Sequence, residues 1–170
     1  MQKPDCIKHY TDIQEADNKH YPGSAELHCI TARFGKTFGF ERLAIHHQIL
    51  QPGRRTSWPH AEKIEEEFVY IIEGTPEVWL DGVLYKLQPG DGVGFKPGDG
   101  LAHTFINNTN TDVHLLVVGE VDQDYNQVHY PMHPARNTEI GAAHWKTIPQ
   151  RAIGPHDGLP DALRAQFNKD

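Results

Sequence analysis

Two stretches of this sequence combine histidine and glutamate at the short spacing that could hold a cation. His60 and Glu62 lie two residues apart, so on an extended strand both point to one face. Glu67 opens the run Glu67-Phe-Val-Tyr-Ile-Ile-Glu73, and His103 follows about 40 residues after the first histidine, between Gly100 and Asn107. Imidazole nitrogen and carboxylate oxygen form a coherent ligand set for Zn, Mn, Fe, Ni or Cu, and two facing strands can close such a site. An ion there would act by Lewis-acid polarisation or O₂ activation. Glu67 is one of three consecutive glutamates, so Glu65 or Glu66 serves instead if the register slips. Glu67 is preferred because it would share a strand face with Val69 and Ile71. His46 and His47 are neighbours on another apolar run, and a regular strand turns one of them inward. Either could line the cavity as a proton-transfer group, or simply pack. Histidine itself is abundant, with 12 in 170 residues, and it is the commonest metal ligand.

These residues need strands to hold them. Short β-rich runs cover Leu27 to Phe34, Arg42 to Leu50, Glu67 to Glu73, Glu77 to Leu80, Val83 to Leu87, Gly92 to Phe95, Ala102 to Ile106 and Val113 to Gly119. Turn residues separate them, among them Gln51-Pro52-Gly53, Gly74-Thr75-Pro76 and Gln88-Pro89-Gly90-Asp91. Asp81-Gly82 between two apolar runs predicts a two-residue hairpin. About eight short strands without a long amphipathic helix between them point to an antiparallel sandwich or barrel. Residues 1–26 read as a polar arm with a helical turn near Thr11 to Ala16, and residues 27–121 as the barrel. Residues 122–170 read as an irregular, Pro-rich tail with a short helix near Asp161 to Gln166. Trp145, Ile148, Ile153, Leu159, Leu163 and Phe167 give that tail apolar anchors for packing on the barrel.

In these motifs the sequence resembles the cupin superfamily, small β-barrels of jelly-roll or double-stranded β-helix type. The family's first motif runs from a glycine through His-x-His and a glutamate to a second glycine. Here Gly53, lying one residue further from His60 than that pattern asks, is followed by His60-x-Glu62, Glu67 and Gly74. The second motif is met by Gly90, Pro97, Gly100, His103 and Asn107, with one extra residue before Pro97 and one after it. The resemblance spans roughly residues 40 to 120. It implies an all-β barrel, and it assigns His60, Glu67 and His103 to three of four ligand positions for one divalent ion per chain, Zn, Mn, Fe or Ni. Glu62 stands where the family has a second histidine. Two imidazoles and two carboxylates would neutralise a divalent ion, whereas three imidazoles and one carboxylate leave it positive, so water on the neutralised ion is acidified less. With Glu62 turned to solvent instead, two histidines and one carboxylate remain with open positions, the arrangement associated with non-haem iron.

Composition narrows the function classes. Apolar residues make up 38% and charged residues 23%, and the formal charge of −7 leaves no basic surplus for a phosphate backbone. No apolar run is long enough to span a membrane, and the stretch MQKPDCIKHY lacks a signal-peptide core. The expectation is a cytoplasmic chain with neither nucleic-acid nor membrane partners. Cys6 and Cys29 form no CxxC pair, and Cys29 reads as a small core residue. Gly-x-Ser-x-Gly, Walker and Rossmann motifs are missing, which argues against acyl-enzyme and nucleotide chemistry. Arg54 and Arg55 flank the mouth of the site, as anion attractors or as solvated loop residues. His129 and His133 read as surface-loop histidines, and Trp58, Trp79, Tyr85 and Phe105 as core or interface. The leading expectation is a metal-dependent enzyme acting on a small oxygen-rich or anionic molecule. The alternatives are a non-catalytic small-molecule or metal sensor, and a barrel kept only for oligomerisation. A homodimer is expected, formed by extending the sheet through Leu27 to Phe34.

Overall fold

Ten strands and three short helices form among the residues described by the computed structural model, which are 3–121 and 123–167. The side chain of Phe167 lies outside that description. In chain order the elements are β1 (Ile30–Arg33), α1 (Phe34–Phe38), β2 (Leu43–Leu50), β3 (Ala61–Glu62), β4 (Glu67–Glu73), β5 (Glu77–Leu80), β6 (Val83–Lys86) and β7 (Gly92–Phe95). They continue with β8 (His103–Ile106), β9 (Val113–Glu120), β10 (Val128–His129), α2 (Pro134–Glu139) and α3 (Asp161–Phe167). All strand pairing is antiparallel, in a five-stranded sheet ordered β1-β2-β9-β4-β7, a three-stranded sheet ordered β6-β5-β8 and a β10-β3 pair. The architecture is an all-β jelly-roll barrel. Its core lies between the two larger sheets, where Leu50, Val69, Ile71, Val78, Phe105 and Leu115 are each at most 2% exposed.

Local sequence explains the joints. Asp81 and Gly82 take φ of 44° and 88°, the left-handed pair that a tight hairpin between β5 and β6 requires. A Cβ at Gly82 would stand 2.3 Å from the backbone nitrogen of Gly154, so the missing side chain is also what lets the tail lie across the hairpin. Asp81 fastens this crossing by accepting from Ala102 N at 3.0 Å and pairing with Arg151.

The first strand is shorter than its apolar run suggests. The chain turns at Phe34 into α1, closed by Gly39 at φ 72°, and Gly35 packs its bare Cα against the Leu43 carbonyl. The free edge of β1 is covered by the chain's own arm, through a Gln14–Ala32 bridge and a bond from Glu15 N to Thr31 O. Sheet extension by a second copy is therefore obstructed at that edge. The tail contributes β10 and α2, the latter opening on Pro134 at the first helical position.

Arm, barrel and tail lock together beside β3. Tyr21 stacks on Trp58 with centroids 4.2 Å apart, and Trp58 stacks on His133 at 4.0 Å and 3°. Next to this stack Arg55, 1% exposed, grips both carboxylate oxygens of Glu26 at 2.5 and 2.8 Å and donates to Gly158 O at 2.8 Å. Arg55 is thus an internal tie, and Arg54 pairs with Asp17. Neither is a free anion attractor at the mouth. His133 likewise packs in the stack, while Tyr85 is 51% exposed. No helix among the described residues is long and apolar enough to cross a membrane.

Candidate metal centre

An isolated antiparallel bridge joins the two motifs. His60 N donates to His103 O at 3.2 Å, and His103 N returns a bond to His60 O at 2.9 Å. Residues paired in this way present their side chains on the same face, and the two imidazole centroids lie 5.0 Å apart. From the opposite sheet, Glu67 at the head of β4 approaches His103, with Oε1 3.3 Å from Nε2, while Glu62 Oε1 lies 3.8 Å from His60 Nε2. Phe95 stacks on the other side of the His103 ring at 3.5 Å.

All four sequence-derived ligand candidates, His60, Glu62, Glu67 and His103, line one small cavity of about 10 Å³, room for a single atom. They stand as two contacting pairs. Among the described residues no three His, Cys, Asp or Glu side chains converge in a ready-made metal cage. A cation would have to draw the pairs together.

The chemistry of the donor set fits a cation. His60 Nδ1 donates to Trp58 O at 2.9 Å and His103 Nδ1 to Leu101 O at 3.3 Å. A carbonyl can only accept, so in each neutral ring the proton sits on Nδ1 and the lone pair on Nε2. Backbone contacts of this kind are what orient metal-binding histidines. His103 Nε2 is buried and has no hydrogen-bond partner, with the carboxylate of Glu67 in front of it. Two acceptors face one another there, an arrangement satisfied by a proton or a cation between them. Burial first, then the neighbouring His103, holds the His60 pKa down to about 4. Burial works against ionisation of Glu67, but contact with His103 and the nearby His60 and His46 outweigh it, and its pKa lies below the usual carboxylate value. The centre therefore presents lone pairs and negative charge.

The register separates the two adjacent histidines of β2. His46 lines a larger cavity of about 470 Å³ that shares Glu62, Glu65 and Glu67 with the small one. Burial, reinforced by Arg33, keeps its pKa below the ordinary histidine value. His47 turns to the other face, stacked under Tyr10 at 4.0 Å with Nε2 3.2 Å from His114 Nδ1. The expectation that either could reach the cavity is corrected to His46, because successive strand residues point to opposite sides.

Three residues at the site escaped the sequence reading. Asn126, from the tail, donates to Glu65 Oε1 at 2.9 Å and to Glu62 Oε2 at 3.4 Å. Tyr130 sets its ring 5.9 Å from that of His60. Arg33 lines the larger cavity opposite Glu67. None carries a local signal, since each reaches the site through long-range packing. The glutamates at 62, 65, 66, 67 and 120 make the larger cavity acidic, which works against the idea of an anion entering by that mouth.

Comparisons with known proteins agree with the barrel fold. Residues 46–119 match the family described as Cupin domain. The chain is 36% identical over 83 residues to polyketide synthase CurC of Streptomyces cyaneus and 37% identical over 82 residues to protein SchB of Streptomyces halstedii. Each match takes in 48% of this chain, and it spans about half the length of these curated relatives, 51% and 54%. Among solved structures, a sugar phosphate isomerase of the cupin superfamily from Silicibacter pomeroyi aligns with TM-score 0.57 and 28% identity, covering 60% of this chain and 64% of that one. The polyketide cyclase RemF from Streptomyces resistomycificus aligns with TM-score 0.61 and 21% identity, covering 84% and 96%.

Proposed function

We propose that the chain, whose residues 46–119 match the Cupin domain family, is a divalent-metal enzyme that moves a proton next to a carbonyl group in a small, oxygen-rich molecule. The observation carrying this reading is the shared wall: Glu62, Glu65 and Glu67 bound both the cavity of the four candidate ligands and the larger cavity of His46. The relatives' names point the same way, since sugar phosphates and polyketides both have carbonyl groups flanked by acidic C–H bonds. His60, Glu67 and His103, with or without Glu62, would hold a divalent ion, which would supply Lewis-acid polarisation of a ligand oxygen. His46, kept neutral by burial, accepts the proton into the cavity. Free Cys6 and Cys29 suit a reducing cytoplasm, where we place the protein.

The test is solvent exchange. Sugar, keto-acid and polyketone compounds incubated in D₂O with metal-loaded protein should exchange their α-protons in NMR spectra, and His46→Ala should slow this by about a hundredfold or more while retaining metal. Binding without exchange or turnover across the series, with and without O₂, would instead leave a small-molecule-binding or sensor cupin.

A second copy of the chain is the proposed partner. Phe68, Tyr70 and Ile72 are 44%, 39% and 44% exposed on the outer face of β4. Gly92 and Gly94 lie beside them on β7 and leave that face flat. These positions are uncharged on a chain of charge −7, so two copies can meet there without like charges in contact. Light scattering should give twice the chain mass, and Tyr70→Lys should return the monomer; monomer throughout would refute the pairing.

A further inference from the structure

We propose that a second cleft, between the N-terminal arm and the inner face of β1 and β2, is a ligand subsite for the carboxylate and hydroxyl groups of a hydroxylated organic acid. The proposal deepens the reading of the barrel as a small-molecule site and rests on it.

The cleft has a volume of about 320 Å³, the size of a small ligand site, and Lys19, His20, His28, Arg33, Gln48 and Thr56 are among its walls. No carboxylate lines it, whereas five glutamates line the cavity of His46. Arg33 belongs to both, so the two spaces adjoin at one guanidinium and carry opposite polarity.

Two buried acceptors at the cleft have nothing to accept. His28 is 6% exposed, and its Nδ1 lies 3.2 Å from Arg55 O, so the proton is on Nδ1 and the lone pair on Nε2. That Nε2 is buried with no hydrogen-bond partner, and so is the amide oxygen of Gln48. Burial keeps His28 on the neutral side of its ordinary titration, so it remains an acceptor. Buried polar atoms are almost always satisfied by protein, water or ligand. A hydroxyl group has one proton to donate and can serve the Gln48 amide oxygen, with water or a second hydroxyl serving His28 Nε2.

Arg33 supplies the opposite need. Its Nε donates to Glu15 Oε1 at 2.9 Å, while its terminal nitrogens have no partner among the described residues. Glu15 also lies 3.4 Å from Lys19, so one carboxylate stands against two cations and the cleft keeps a positive excess. The open fork of a guanidinium matches a carboxylate in two parallel bonds. A hydroxylated acid therefore seats its carboxylate on Arg33, at the boundary with the cavity of His46, and donates its hydroxyl proton to Gln48 Oε1 beside His28.

Para-hydroxybenzoate, phenol and benzoate serve as probes in calorimetric titrations of metal-loaded protein. Para-hydroxybenzoate should bind at least about tenfold more tightly than either truncated probe. Arg33→Gln should weaken para-hydroxybenzoate and benzoate about tenfold and leave phenol unchanged, with Arg33→Lys intermediate. Gln48→Leu should weaken para-hydroxybenzoate and phenol and spare benzoate. The His60→Ala, His103→Ala variant should keep the binding while metal content falls, which separates this subsite from the metal centre. Equal affinity of all three probes, or unchanged binding in both Arg33→Gln and Gln48→Leu, would overturn the proposal.

Discussion

Replacing His60 and His103 together by alanine is expected to take bound divalent metal from about one ion per chain to background, as measured by elemental analysis of protein dialysed against buffer containing trace metal. The size of the effect follows from the pairing of the motifs. The two rings come from strands joined by two backbone bonds, and both Nδ1 protons are committed to carbonyls, so both Nε2 atoms are held ready as ligands. Removing even an outer partner that merely orients a ligand costs roughly 10–100-fold in metal affinity, so losing both imidazoles should exceed that. Far-ultraviolet circular dichroism controls for folding, because His103 is buried under Phe95. Glu62→Ala then divides the two ligand sets: retained metal assigns two histidines with Glu67, and lost metal assigns a four-ligand site. Stoichiometric metal in the double alanine variant would sink the assignment.

Arg55→Met should be strongly destabilising while leaving the candidate ligands intact, costing about 3–5 kcal/mol because Glu26 would be left largely buried without its counter-charge. In thermal unfolding this corresponds to a drop of roughly 10 °C or more. The pH dependence carries the sharper signature. In the wild-type protein burial tends to raise the Glu26 pKa, but the Arg55 guanidinium overcomes it, and the folded value lies below the ordinary one. That contribution to stability is present above the unfolded pKa and is lost as pH falls through the folded one. Without Arg55, burial is opposed only by the Trp58 indole bond and the nearby His28, and the folded pKa should rise above the unfolded value. The same carboxylate would then weaken the fold as pH increases through 4 to 6, about the range where such a group titrates. Melting curves at several pH values for both proteins read this change of sign, and parallel profiles would refute it.

What the sequence made legible was whatever depends on neighbours along the chain. β4, β5 and β7 begin and end at the residues their alternation and turns indicate, and Asp81-Gly82 makes the hairpin because only left-handed backbone closes it. That His60 and His103 share a site was implied by the resemblance of the two motifs to the family pattern, and a bridge joins the two residues. Other features depended on distant partners. Phe34–Phe38 continues an apolar run and looks like strand until Gly35 is seen against Leu43 O, although Gly39 was a visible helix stop. His133 has the polar, Pro-flanked surroundings of a surface loop, and only the arrival of Trp58 and Tyr21 buries it. Arg55 sits next to an exposed turn, and its carboxylate partner Glu26 lies 29 positions back. The choice between His46 and His47 turned on register, which alternation alone leaves two-fold ambiguous.

The layered contact of Tyr21, Trp58 and His133 also dictates an order of assembly. It joins segments from three separate regions of the chain, and Arg55 beside it is tied to Gly158, 103 positions further on. Contacts of such sequence separation incur their loop-closure entropy before any packing compensates for it, and so they form late in folding. During synthesis the barrel strands can emerge and pair first, but His60 gains the ring of Tyr130 beside it only once the tail has left the ribosome. A nascent chain ending before Tyr130 should therefore acquire strand structure ahead of any competence to retain a metal ion.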